Sequence, residues 1–372
     1  MNAPAQSDWA PLPTPMELAF DTREPGAVRV LADLSRVQHS LSSHNIAFRI
    51  LCDATVIAET NTGDSFGWNY AALSFEGVQI GLSVGVHTVS VQYKTANGTV
   101  HFADSDATGN QARRLAVVVM PDHEMTTAHW NNSGTTSESL SPDSWASLPT
   151  PMTISFSTTT PEPVVVTAGL SRVQHDLWSQ NTAFRILVNG ETVIAEQNTA
   201  DAYNWKYAAP SFHGVASGLE AGSHTAEVQF RTTGGKVSFW GDSSSLSSSG
   251  YQSRRLTVHE AGHSQTLTTD SWSNEMSGSS GTWAALPTRM MVTFTIGNDE
   301  GAALVMADIS RVQHETYGLN TAFRIVTKSV NGYNQMTLAE INTGSAANTD
   351  YAAVSFQGVY NGMSPGEYEA EV

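Results

Sequence analysis

The chain has 372 residues, a formal net charge of −17 and only 14% charged side chains. That balance argues against nucleic acid and anionic membrane surfaces as partners, because both are held by clustered Lys and Arg. No run of 18 apolar residues exists, so no helical membrane span is expected, and the single cysteine, Cys52, excludes an intrachain disulfide.

The chain begins with a short polar stretch that lacks the charged-then-apolar pattern of a signal peptide. At Trp9 a Trp-Ala-x-Leu-Pro-Thr opening leads into the alternation Met16 to Phe20, and a β-rich run follows from Ala27 to Leu34. Then comes Leu34-Ser35-Arg36-Val37-Gln38-His39, with Asn45-Ile46-Ala47-Phe48-Arg49-Ile50 after it. A loop carries Trp68 and Tyr70. Alternating strands are expected over 86–94, 98–102 and 113–119.

These landmarks return twice. The Arg-Val-Gln-His element recurs at Arg172 to His175 and at Arg311 to His314, and the Asn-x-Ala-Phe-Arg-Ile element recurs at Asn181 and Asn320. A period near 136–139 residues means whole domains in tandem, because solenoid repeats are only about 20–50 residues long. The expected fold is all-β, with three tandem β-sandwich, jelly-roll-like domains of about eight strands each. Their bounds are 9–120, 145–258 and 283–372. The Ser/Thr/Gly/Asn-rich stretches 121–144 and 259–282 read as linkers. The third copy is expected to lack its last strands, because Val372 aligns with Val91 and Val228 in mid-strand. Either the sequence is part of a longer tandem protein, the reading we favour, or a neighbouring molecule donates the missing strands.

Hairpin parity makes predictions within each copy. Asn189-Gly190 is a strong two-residue turn signal. It pairs Arg185 with Ile194 and Ala183 with Glu196, making Arg185 and Glu196 diagonal neighbours. Phe48, Ile50, Phe184, Ile186, Phe323 and Ile325 then face the core.

Two catalytic motifs fail on context. His259-Glu260-Ala261-Gly262-His263 matches a zinc-protease pattern, but that chemistry needs a helix to aim both imidazoles at one metal. Gly81-Leu82-Ser83-Val84-Gly85 matches a nucleophile elbow, but a strand leaves it where the elbow requires a helix. The second copy has Glu220 at the serine position. No cofactor, no metal and no enzymatic activity are expected.

The repeated polar cluster has two readings. It is a recognition patch made of Arg36, Gln38, His39 and Asn45, with Arg172, Gln174, His175, Asn181, Arg311, Gln313, His314 and Asn320 as its copies. Alternatively it is a corner whose side chains satisfy backbone groups, the reading we favour. Trp68 with Tyr70, and Trp205 with Tyr207, would form a sugar-stacking platform. Asn97-Gly98-Thr99 and Asn131-Asn132-Ser133 fit the glycosylation triplet. The expected function is a structural or adhesive tandem-repeat protein of an extracellular or surface assembly, whose partners are its own copies or other subunits. The alternative is a lectin-like protein that binds glycans.

Overall fold

The computed structural model describes residues 2–372 apart from 43, 63–70, 103–112, 132–134, 140–143, 172, 179, 200–207, 241–252, 261–282, 287, 298–300, 315–319, 331–334 and 346–351. The fold is all-β. The first repeat holds β1 (Asn2–Thr22), β2 (Gly26–His39), β3 (Ala47–Cys52), β4 (Thr55–Asn61), β5 (Ala71–Leu82), β6 (Gly85–Phe102) and β7 (Arg114–Met120). After a 3-10 turn at Asp122–Glu124 come β8 (Met125–Asn131), β9 (Thr135–Ser139), β10 (Ala146–Thr158), β11 (Val164–Gly169), β12 (Val173–His175) and β13 (Thr182–Val188). The second repeat continues with β14 (Thr192–Asn198), β15 (Ser211–Ala216), β16 (Gly222–Thr232), β17 (Lys236–Trp240) and β18 (Ser253–Glu260). The third holds β19 (Met291–Ile296), β20 (Gly301–Val312), β21 (Asn320–Ser329), β22 (Met336–Ser345), β23 (Ala352–Met363) and β24 (Gly366–Glu371). Among the described residues no helix is long and apolar enough to cross a membrane.

Each repeat stacks two antiparallel layers around its own apolar cluster. One layer runs β1-β6-β3-β4 in the first repeat, β10-β16-β13-β14 in the second and β19-β24-β21-β22 in the third. The other runs β5-β2-β7, β15-β11-β18-β8 and β23-β20. Phe48, Ile50, Phe184, Ile186 and Ile325 are fully enclosed and Phe323 is 7% exposed, as hairpin parity requires.

Several expectations are corrected. Residues 121–144 are not simply a linker: β8 pairs with β18 and β9 with β17, so the stretch supplies two strands to the second repeat. Its Thr-rich alternation lacks a core of its own and finds one by joining existing edges. His259 and Glu260, placed in the second linker, end β18 opposite Val165 and Val164. The rest of that stretch lies outside the described residues. Asn2 to Pro4 pair with His101 to Thr99, so strand pairing in the first repeat starts ahead of Trp9. Residues 86–94 and 98–102 run as one strand, β6, giving seven described strands in that repeat. A bulge between Ile186 and Leu187 shifts the β13–β14 register, so Arg185 sits opposite Glu196 and Ala183 opposite Asn198. With that shift, Val193 is 46% exposed.

The two layers differ in what covers their outer faces. β10 alternates buried and exposed positions, as a strand with one wet face should. β2 is buried on both faces from Gly26 to Ser35. Val28, Val30, Ala32 and Leu34 point into the first core, while the opposite parity, Arg29, Leu31, Asp33 and Ser35, is covered by the other repeats.

The repeats meet cyclically, using equivalent positions. Ser35 Oγ accepts the Asn342 N–H at 3.2 Å, and the Asp33 carboxylate accepts the Gln357 N–H at 3.3 Å. One step around, Ser310 Oγ accepts the Asn198 N–H at 2.9 Å and Asp308 accepts the His213 N–H at 2.8 Å. At the last step Gly169 replaces the aspartate, and Arg255 donates to the Ile57 carbonyl. First meets third, third meets second, and second meets first.

Candidate functional site

Arg29 stands where the three repeats converge. It is 1% exposed. Its Nε donates to Glu76 at 2.7 Å and its Nη2 to Thr167 Oγ1 at 2.8 Å, with Met306 Sδ 3.8 Å away. Thr167 and Met306 occupy the same position in the second and third repeats, where the first carries Leu31, so one guanidinium meets equivalent positions of both other repeats. His259 Nδ1 faces Arg29 Nη1 at 3.5 Å. Burial and the arginine's charge push this imidazole down to about 3, so it is neutral and its Nδ1 accepts. The cluster joins β2, β5, β11, β18 and β20.

The Arg-Val-Gln-His element is the corner at which β2 changes sheets. Before it, β2 pairs with β5 and β7; after a register shift at Leu34/Val37, Val37 to His39 pair with Phe102 to Val100 of β6. Arg36 sits at that bulge with φ 51°, a left-handed conformation that re-aims the strand. His39 is fully buried. Its Nδ1 accepts the Leu41 N–H at 2.9 Å and its Nε2 donates to the Asn97 carbonyl at 2.8 Å. His175 repeats the pattern, with Leu177 N–H at 3.0 Å and Thr232 Oγ1 at 2.8 Å. Gly98 and Gly235 complete the corner. Both have φ near +74°, and a Cβ on either would lie 2.8 Å from the imidazole.

The other residues of that cluster differ in exposure. Gln38, Asn45, Gln174, Asn181 and His314 are half-buried, and Gln313 is exposed. The Asn45 carbonyl accepts the Thr95 hydroxyl at 3.1 Å. The backbones of Arg311 and Asn320 belong to β20 and β21. Trp68, Tyr70, Arg172, Trp205 and Tyr207 lie outside the described residues.

The turn at Gly81 to Gly85 also has a structural use. His87 Nδ1 lies 2.5 Å from Asp53 Oδ2, and its Nε2 is 2.8 Å from the Ser83 carbonyl. In the second repeat His224 contacts Asn189 and the Glu220 carbonyl, and in the third Tyr368 Oη donates to the Ser364 carbonyl at 2.9 Å. A histidine in the first two repeats and a tyrosine in the third thus reach the equivalent backbone oxygen, whether the residue that carries it is a serine or a glutamate. Among the described residues no group of three His, Cys, Asp or Glu is placed to hold a metal.

A surface feature escaped the sequence reading. On the outer layer, Arg49 stacks over Trp9 at 4.5 Å, Arg185 over Trp145 at 4.4 Å and Arg324 over Trp283 at 4.4 Å. Arg185 also donates to Gln229 Oε1 at 2.7 Å, as Arg49 does to Gln92 at 2.6 Å. Across the second repeat the paired positions Ser147, Gln229, Arg185 and Glu196 form a polar row next to the indole. Glu196 is bonded by Arg231 at 3.2 Å, not by Arg185 as hairpin parity implied, because Gln229 occupies the Arg185 fork. The signal was present in the sequence: the opening Trp and the Phe-Arg-Ile arginine recur together in every copy.

No family model matches the chain, and no curated protein matches it in sequence. Among solved structures, the tandem CBM51 modules of the family 98 glycoside hydrolase from Streptococcus pneumoniae are similar over 64% of this chain and 83% of theirs, at 11% identity and TM-score 0.17. The CBM22 tandem domain from Paenibacillus barcinonensis covers 63% and 94%, at 8% identity and TM-score 0.19. The ANX2 ectodomain from Arabidopsis thaliana covers 66% and 89%, at 10% identity and TM-score 0.21. At scores this low none of these likenesses bears on function.

Proposed function

We propose that the chain is a non-enzymatic structural or adhesive subunit of an extracellular or surface assembly, its three repeats acting as one rigid three-lobed block. The observation that carries this reading is Arg29, buried where all three repeats meet and bonded to two of them. A buried ion pair adds little net stability, but it penalises every arrangement that leaves it unpaired. The nucleophile-elbow look-alike at Gly81 to Gly85 is a turn between strands, and His259 of the zinc-protease look-alike lies in β18. Low charge and a Ser/Thr-rich surface fit a protein displayed outside the cell. Electron microscopy of the native material tests the reading: regular filaments, shells or appendages containing this chain are expected. A free monomeric particle that turns over a substrate would overturn it.

Carbohydrate binding is a second reading, favoured by the half-exposed Trp145 beside its row of Arg, Gln and Glu side chains. Sugar recognition combines an aromatic face with bidentate polar groups. A glycan array on wild type and Trp145→Ala decides it, since this reading requires binding that disappears with the indole.

A further inference from the structure

The last strands of the first and second repeats align residue for residue, yet their surroundings differ. β18 has β11 on one edge and β8 on the other. Its Leu256 and Val258 are 0% and 2% exposed. Among the described residues β7 pairs with β2 alone, its Leu115 and Val117 are half-buried and its Val119 is 44% exposed. Residues 114–117 form one wall of an open cleft of about 420 Å³, and Met336 and Leu338 of β22 stand on the other. Consecutive residues on a bare edge offer alternating N–H and C=O groups that only another strand can pair as a ladder.

We propose that this cleft is a strand acceptor: an extended, largely uncharged strand from a partner protein pairs with β7 as β8 pairs with β18. The second repeat specifies the chemistry. There Ala128 lies opposite Leu256 and Trp130 opposite Arg254, and both side chains pack on the second core. The partner strand therefore carries a small residue opposite Leu115 and an aromatic residue two positions on, opposite Arg113. The cleft continues the contact between the first and third repeats, so an inserted strand touches both. This inference stands apart from the structural reading above and does not depend on it.

The test uses the full chain and a synthetic peptide of residues 124–132. Binding should slow amide hydrogen exchange at 114–120 by about tenfold or more, because exchange requires the new ladder to open. A peptide carrying Thr127→Pro and Ala128→Pro should not bind, since neighbouring residues point their N–H groups to opposite edges and one ladder bond must be lost. Met336→Glu, an exposed change on the facing wall, should weaken binding at least about fivefold by placing a charge against the apolar side chains of the inserted strand. Unchanged exchange at 114–120, or equal binding of the double-proline peptide, overturns the assignment. So does a peptide-free dimer that protects the same amides, because the occupant would then be a second copy of the chain.

Discussion

Two junctions built from equivalent strands differ in how they close. Where the second repeat meets the first, Arg255 reaches the Ile57 carbonyl, and the gap beside Gly169 is about 20 Å³. Where the first meets the third, the equivalent Arg114 lines a cleft of about 420 Å³ and Asp33 is buried at the position of Gly169. A repeated sequence therefore does not give a repeated junction. Each interface is decided by the contact positions at which the copies differ, and those differences can be tested in order of size.

The largest effects come from taking the block apart. Phe184→Ala, inside the second core, should cost about 3–5 kcal/mol in chemical denaturation. A loss under about half a kcal/mol would mean the hairpin face is misassigned. Arg29→Met should cost about 3–5 kcal/mol, because buried Glu76 loses its hydrogen-bonded partner and keeps only the charge of Arg255 nearby, whereas Arg29→Met with Glu76→Leu should recover the part owed to the unpaired carboxylate. Failure of the double variant to recover would show that the arginine matters through Thr167 and not through the ion pair.

Asp33 sharpens the contrast with Gly169. Burial pushes its carboxyl up from 3.8 to about 7. A raised folded pKa means that the protonated form suits the fold. The contribution is fully present below about pH 4 and is lost as pH rises through about 7, amounting to a few kcal/mol. Subtracting the stability–pH curve of Asp33→Asn from that of wild type should leave this falling limb. Asp308, also pushed up by burial, should give a second such limb at the junction of the third and second repeats. A flat difference curve between pH 4 and 7 would place Asp33 in water.

The smallest effect separates the hairpin tips. Asp53 holds His87 above its ordinary value by a hydrogen bond, and the same bond holds Asp53 low. The pair's stabilisation is lost as pH rises through the raised histidine pKa, and again as pH falls through the depressed aspartate pKa. Asp53→Asn copies Asn189 of the second repeat and should remove both limbs. The cost near neutrality should be under about 1 kcal/mol, since the aspartate is half exposed. Nuclear magnetic resonance titration of the His87 ring reads the change directly, and an unshifted midpoint in the variant would break the assignment.

The sequence by itself determined the repeats, the all-β class and the core parity. Each of these is a local pattern: a period-2 alternation, a turn dipeptide, a landmark returning in register. The favoured corner role for His39 was also legible, because polar residues between two strands most often bond backbone. Only the tertiary structure decided which outer faces are wet. Along β2, Arg29, Asp33 and Ser35 alternate with apolar residues and look like a solvent face, yet the other repeats bury them. Alternation records that two faces differ, not what covers the polar one. The strands β8 and β9 were hidden for the same reason. Their Thr-rich residues cannot form a core alone, and their stability comes from edges about 100 residues or more away in the chain.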